Sequence, residues 1–189
     1  MGNQLTTLKI EETDIFLDDQ GNGRGKITIS NSWGYNFSYF WGSMGSSLND
    51  FLCGLDEGYF LNKLCNNSSV FCGKSTARNI RREMRSELSF ELPWFKHMEF
   101  QKEMRAEVKK IESIDSDYEF VGFAQSLADN LPYYLIDCKY DRKEVESAIQ
   151  SFFSEPWHYI GNTDSNHAVF LKKLFLKLKE AIKKEATND

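Results

Sequence analysis

Four arginines, Arg78, Arg81, Arg82 and Arg85, recur at i, i+3, i+4 and i+7, so a helix places them on one face, with Lys74 near its start. Guanidinium groups are rigid forks of N–H donors that match carboxylate and phosphate oxygens. A face of this kind suits the acidic surface of another protein or a phosphate backbone. Lys74, Arg78, Arg81, Arg82 and Arg85 are therefore the expected partner-binding residues. The plainer alternative is a solvated face, partly neutralised by acidic neighbours such as Glu83 and Glu87.

The same stretch opens with Cys72-Gly73-Lys74-Ser75-Thr76, which resembles the end of a phosphate-binding loop, where backbone N–H groups and a lysine hold the phosphates. The spacing fails, because the leading glycine of that loop falls on Ser68 within a polar Asn/Ser run. Tyr133 to Asp137 imitates the metal-binding strand of such enzymes, but the repeated strand–helix alternation they need is missing. Nucleotide hydrolysis is not expected. His97 extends an apolar helical stripe and reads as a core residue. His158, Asp164 and His167 make a metal or acid–base cluster only if folding brings them together. That convergence is the premise of a third reading, a small metal-dependent enzyme. Asp18, Asp19 and Asn22 lack the alternating ligands and terminal Glu of a calcium loop, so a tight polar turn explains them better. Cys53, Cys65, Cys72 and Cys138 show no C-x-x-C pair and read as free thiols. No catalytic motif appears and no cofactor is expected.

The elements that must position these residues are legible by period. From Ile27 to Trp41 the aromatic and β-branched residues Ile27, Ile29, Trp33, Tyr35, Phe37, Tyr39 and Trp41 fall on odd positions, the mark of half-buried extended chain. The run is too long for one strand, and Gly34 with Asn36 supplies turn chemistry within it. The expected N-terminal module is a three-stranded antiparallel meander: an extended segment from Leu5 to Leu17, a turn from Asp18 to Gly25, a strand from Lys26 to Ser32 and a strand from Asn36 to Trp41. Base stacking on the aromatic strands is disfavoured, since Lys26 is the only cation between Lys26 and Asp50. The odd face is expected to be the bed on which the later helices pack.

Ser46 or Ser47 can cap a short helix carrying Leu48, Phe51 and Leu52, and Leu55 to Leu64 continues helically. Beyond Gly73, helical stripes run through Ala77, Ile80, Met84 and Leu88, and after Pro93 through Phe100, Met104, Val108 and Ile111. A third carries Phe120, Ala124, Leu127 and Leu131 up to Pro132, and a fourth Val145, Ala148, Ile149, Phe152 and Phe153 before Pro156. The last helix, about Ser165 to Ala186, sets Leu171, Leu174, Phe175, Leu178 and Ile182 against a lysine-rich remainder and is expected to pack on the core. The fold class is α+β, a single domain over residues 1–189 with a sheet-containing part at 1–65 and a helical part at 74–187.

At 189 residues and a net charge of −5, the composition argues against a surface that binds nucleic acid everywhere, while leaving room for a local basic patch. No segment approaches the run of roughly 20 apolar residues that a membrane span needs, and the N-terminus lacks a basic start followed by an apolar run. A cytoplasmic location is expected.

The stretch ITISNSWGYNFSYFWGSMGSSLNDFL, followed by GYFLNKL, resembles small uncharacterised proteins encoded by phages and prophages, over about residues 26–64. The resemblance implies an intracellular origin on a mobile element, in the host cell, and brings no catalytic residues with it. By analogy at the level of that class, it implies a non-enzymatic protein that binds and inhibits a host defence or nucleic-acid-handling complex, as anti-CRISPR proteins do. The alternative is a nucleic-acid-binding accessory protein that uses the arginine face.

Overall fold

The computed structural model describes residues 3–88, 98–129 and 142–187. Pro93, His97, Leu131, Pro132, the Tyr133 to Asp137 run and Cys138 lie outside the described residues, as do the side chains of Glu87, Leu88 and Phe100. The chain divides into two compact units, one built from 1–69 and 164–189, the other from 70–163.

Unit 1 begins with four strands, β1 (Gln4–Ile10), β2 (Thr13–Gly21), β3 (Arg24–Asn31) and β4 (Asn36–Trp41). They pair in sequence order, each antiparallel to the next. The fold is α+β with an N-terminal antiparallel meander, and the sheet has four strands where the sequence predicts three. The extra strand arises because the Leu5 to Leu17 segment folds back at Glu11-Glu12, Ile10 pairing with Thr13. Glu11 holds a φ of 54° there, a left-handed conformation that glycine or asparagine usually marks and glutamate does not. The DDQGNGRG stretch is mostly strand: only Asn22 and Gly23 form the turn, both at positive φ, the Asn-Gly pairing of a tight hairpin. Asp19 is structural here, its carboxylate accepting from the Gly21 N–H at 2.9 Å and from the Leu48 N–H at 2.8 Å.

The odd-numbered face of β2 to β4 is buried through Ile15, Leu17, Ile27, Ile29, Phe37 and Trp41. Trp33 departs from that face. It sits in the β3–β4 turn, 68% exposed, because the Asn31 side chain accepts from the N–H groups of both Trp33 and Tyr35 and pulls the chain out of strand geometry. Over the buried face lie α1 (Leu48–Gly54), α2 (Glu57–Leu64) and the last helix, α7 (Asn166–Ala186). Each has a side-chain N-cap: Ser47, Asp56 and Ser165. The apolar stripe of α7 is buried as its period requires, and Phe60 stacks on Phe175 with ring centroids 4.3 Å apart. The bed of aromatic strands thus receives α1, α2 and α7, while the helices of 70–163 share a core of their own.

That second core belongs to α3 (Gly73–Glu83), α4 (Met98–Lys110), α5 (Asp117–Asp129) and α6 (Arg142–Phe152), with 3-10 turns at Ile111–Ser113 and Pro156–Tyr159. Ile80, Met104, Val108, Ile111, Phe120 and Ile149 are fully enclosed in it. Two short strands, β5 (Ser69–Phe71) and β6 (Asn162–Asp164), pair with each other.

Candidate functional site

The arginine face forms as its spacing requires. Along α3, Thr76, Ala77, Ile80 and Met84 turn inward, which leaves Lys74, Arg78, Arg82 and Arg85 exposed and Arg81 half-buried. Arg85 stands in a π-helical turn, Met84–Leu88, that continues α3; single π turns of this kind recur at functional sites. Arg81 donates to Glu112 Oε1 at 2.6 Å, and Arg82 donates to Glu83 Oε1 at 2.8 Å. The Arg81 hydrogen bond holds the Glu112 carboxyl below the ordinary glutamate value, opposed by partial burial and helped by the charges of Arg81, Lys109 and Lys74. Arg78 makes no ion pair among the described residues.

The face is larger than its sequence spacing implies. Arg81, Met84 and Arg85 form one side of a cleft of about 420 Å³, and Gln101, Arg105, Val108 and Lys109 of α4 form the other. Arg105 donates to Gln101 Oε1 at 3.2 Å. A second groove, along α3 and the π turn, is lined by Arg78, Arg81, Arg82, Arg85 and Ser86, whose side chains can all donate hydrogen bonds. Arg105 and Lys109 each follow a buried stripe residue, Met104 and Val108, so their exposure was legible. Their apposition to α3 was not, because no local pattern says which helix packs beside which.

The loop-like motif before the arginines is consumed by packing. A side chain at Gly73 would place its Cβ 2.3 Å from the Ile111 carbonyl oxygen, so glycine is required for α3 to start against the 3-10 turn. Thr76 is fully buried and its hydroxyl accepts from the Gly161 N–H at 2.9 Å. The Cys72 N–H donates to the Gly161 carbonyl at 2.8 Å.

His158, Asp164 and His167 each have a partner within their own unit. His158 pairs with Glu155 at 3.1 Å on the 3-10 turn, and Asp164 binds Lys172 at 2.7 Å. His167 lies edge-on to Tyr35 and Phe37, at ring centroid distances of 4.7 and 5.5 Å. Among the described residues no group of three His, Cys, Asp or Glu side chains can hold a metal ion. Cys53, Cys65 and Cys72 are free thiols. No described helix is long and apolar enough to cross a membrane.

Residues 3–184 match the model of the phage family Phage_phiTE_072. The chain belongs to this phage family. No curated protein and no solved structure matches it. Membership accords with the phage resemblance of residues 26–64 and extends it to nearly the whole chain.

Proposed function

We propose that this member of the phage family is a non-enzymatic binding protein that docks an anionic surface of a host defence or nucleic-acid-handling complex, in the host cytoplasm, and blocks it, in the manner of an anti-CRISPR protein. One observation carries the reading. Arg81 and Arg85 share one cleft with Arg105 and Lys109 of α4 and a second groove with Arg78 and Arg82, in a chain whose net charge is −5. A local concentration of guanidinium groups on an acidic body favours recognition of a defined acidic patch over general adhesion to polyanions. Arg81 already binds a carboxylate, Glu112, which illustrates the chemistry the neighbouring arginines offer a partner.

Direct binding to nucleic acid is the second reading. The second groove is lined by four guanidinium groups, which can only donate, and phosphate oxygens accept.

The variant Arg78→Glu/Arg81→Glu/Arg82→Glu/Arg85→Glu separates the two. For a protein partner, capture from host lysate followed by mass spectrometry recovers a specific host complex with the wild type and loses it with the variant. Fluorescence anisotropy with DNA and RNA then shows no salt-dependent binding. A steep fall of nucleic-acid affinity with salt, abolished in the variant, assigns the face to phosphates instead. Recovery of the same host proteins by both forms removes the arginine face from the reading.

A further inference from the structure

The cleft between α3 and α4 is more than a stretch of basic surface. Its volume of about 420 Å³ lies within the range that small-molecule sites occupy, and three features of its lining select one kind of ligand.

The first is positive charge from two sides. Arg81 and Arg85 stand on one wall and Arg105 and Lys109 on the other, and among the described residues no carboxylate lines the cleft. Glu112, which Arg81 binds at 2.6 Å, is held below the ordinary glutamate value by that hydrogen bond and, against partial burial, by the charges of Arg81, Lys109 and Lys74. A positive field therefore reaches it from both helices. The second is donor chemistry. Arg105 donates to Gln101 Oε1, which leaves that amide its N–H end, and the remaining polar side chains of the lining are guanidinium and ammonium groups. What they offer a ligand is donors. The third is backing. Met84 and Val108 complete the lining and are buried, so on that side a charge meets protein instead of water, where ionic contacts are stronger.

We propose that this cleft binds a compact polyphosphate group, a short chain of linked phosphates, with Arg85, Arg105 and Lys109 on its oxygens and Arg81 held ready beside them by Glu112. A single carboxylate fits less well: a guanidinium carries about five donors and a carboxylate accepts about four hydrogen bonds, so most of the lining would go unmatched. A nucleic-acid backbone fits less well too, because its charges come one per phosphate and are spread along the strand, whereas four cations surround one volume here. The polyphosphate is either free, as in a nucleoside triphosphate, or the 5′-triphosphate end of an RNA, and both present the same chemistry. The inference goes beyond the docking of a host complex and does not rest on it. Arg81 and Arg85 are common to both, so a bound polyphosphate competes with an acidic partner for them.

The test is isothermal titration of the full chain, without magnesium, against orthophosphate, pyrophosphate, tripolyphosphate and ATP, with a hexaglutamate peptide as the carboxylate control. Affinity is expected to rise along the phosphate series, tripolyphosphate binding about tenfold or more tighter than orthophosphate, and to fall with added salt. Arg105→Ala/Lys109→Ala, at exposed helix positions, is expected to weaken tripolyphosphate by about tenfold or more with the circular dichroism spectrum unchanged. Arg78→Ala/Arg82→Ala, outside this lining, is expected to change it by less than about threefold.

An RNA hexamer with a 5′-triphosphate or a 5′-hydroxyl, titrated into Arg78→Ala/Arg82→Ala, separates the sources. Tighter binding than ATP that needs the triphosphate assigns the cleft to a strand end, and binding equal to or weaker than ATP assigns it to a free polyphosphate. Tighter binding of both hexamers overturns the proposal in favour of the phosphate backbone. It is also overturned if neither tripolyphosphate nor ATP binds at millimolar concentration, if hexaglutamate binds as tightly as tripolyphosphate, or if Arg105→Ala/Lys109→Ala binds like the wild type. Polyphosphate binding without capture of a host complex removes the docking reading alone, and capture without polyphosphate binding removes this one alone.

Discussion

The two units handle their most conspicuous residues in opposite ways. In unit 1 the aromatic strand residues that dominate the sequence are mostly turned inward: Phe37 and Trp41 are buried, and helices α1, α2 and α7 cover them. In unit 2 the conspicuous residues are the arginines, and they point outward from a core of ordinary aliphatic and aromatic side chains. Burial of large rings stabilises a fold but leaves little to recognise. Exposed guanidinium groups contribute little to stability and much to recognition. In unit 1 Trp33 departs from that burial, as do Phe16 and Phe40 on the opposite face of their strands, and in unit 2 Arg81 is half-buried against Glu112.

The sharpest way to break this contrast is to empty each core separately. Phe60→Ala removes a fully buried ring stacked on Phe175 and is expected to cost about 3–5 kcal/mol. The loss should fall on unit 1, read by hydrogen exchange as deprotection of β2, β3 and α7 while α3 to α5 stay protected. Phe120→Ala, in the other core, is expected to reverse that pattern. Coincident deprotection of both units by either variant would show that they unfold together.

Gly73→Ala comes next. The added Cβ meets the Ile111 carbonyl oxygen at 2.3 Å, so α3 must shift, at an expected cost of about 1–3 kcal/mol. Denaturant melts followed by circular dichroism measure it. Wild-type stability in this variant would mean that the motif glycine is not a packing residue.

Trp33→Ala sharpens the contrast from the other side. Although Trp33 shares the odd parity of Trp41, its exposed position predicts a stability change within about 0.5 kcal/mol. Trp41→Ala, at 4% exposure, should cost about 3–5 kcal/mol. Equal losses would return Trp33 to the core face.

The smallest effect concerns Arg81 and Glu112. The Glu112 carboxyl is held below the ordinary glutamate value, so its contribution is present in full above the unfolded-state pKa. It is lost as the pH falls through the lowered folded-state value. Melting temperatures of wild type and Glu112→Gln should therefore differ slightly at neutral pH and converge in acid, and added salt should shrink the gap. A gap that persists unchanged in acid would mean that the pair acts through packing and not through charge.

Much of this could be read along the chain, and the parts that could not have definite causes. The α7 stripe, the Ser47 cap and the strand from Asn36 to Trp41 appear where the periods and cap residues put them, since each depends on neighbours within a few positions. The β1–β2 hairpin was hidden because its turn uses Glu11 in a conformation that glutamate rarely adopts. Trp33 was misplaced because parity alone ignores the Asn31 side chain that bends the chain there.

The candidate site divides in the same way. Helical spacing alone determined that Arg78, Arg81, Arg82 and Arg85 share a face, because 3.6 residues per turn leave no alternative once the apolar stripe is buried. Only the tertiary structure decided that Arg105 and Lys109 complete a cleft with Arg81 and Arg85, that Gly73 and Thr76 serve packing, and that His158, Asp164 and His167 each have a partner of their own. The physical reason is that period and capping act within one element. Which elements meet is decided by the burial of side chains far apart in the chain, and the sequence carries no local record of that choice.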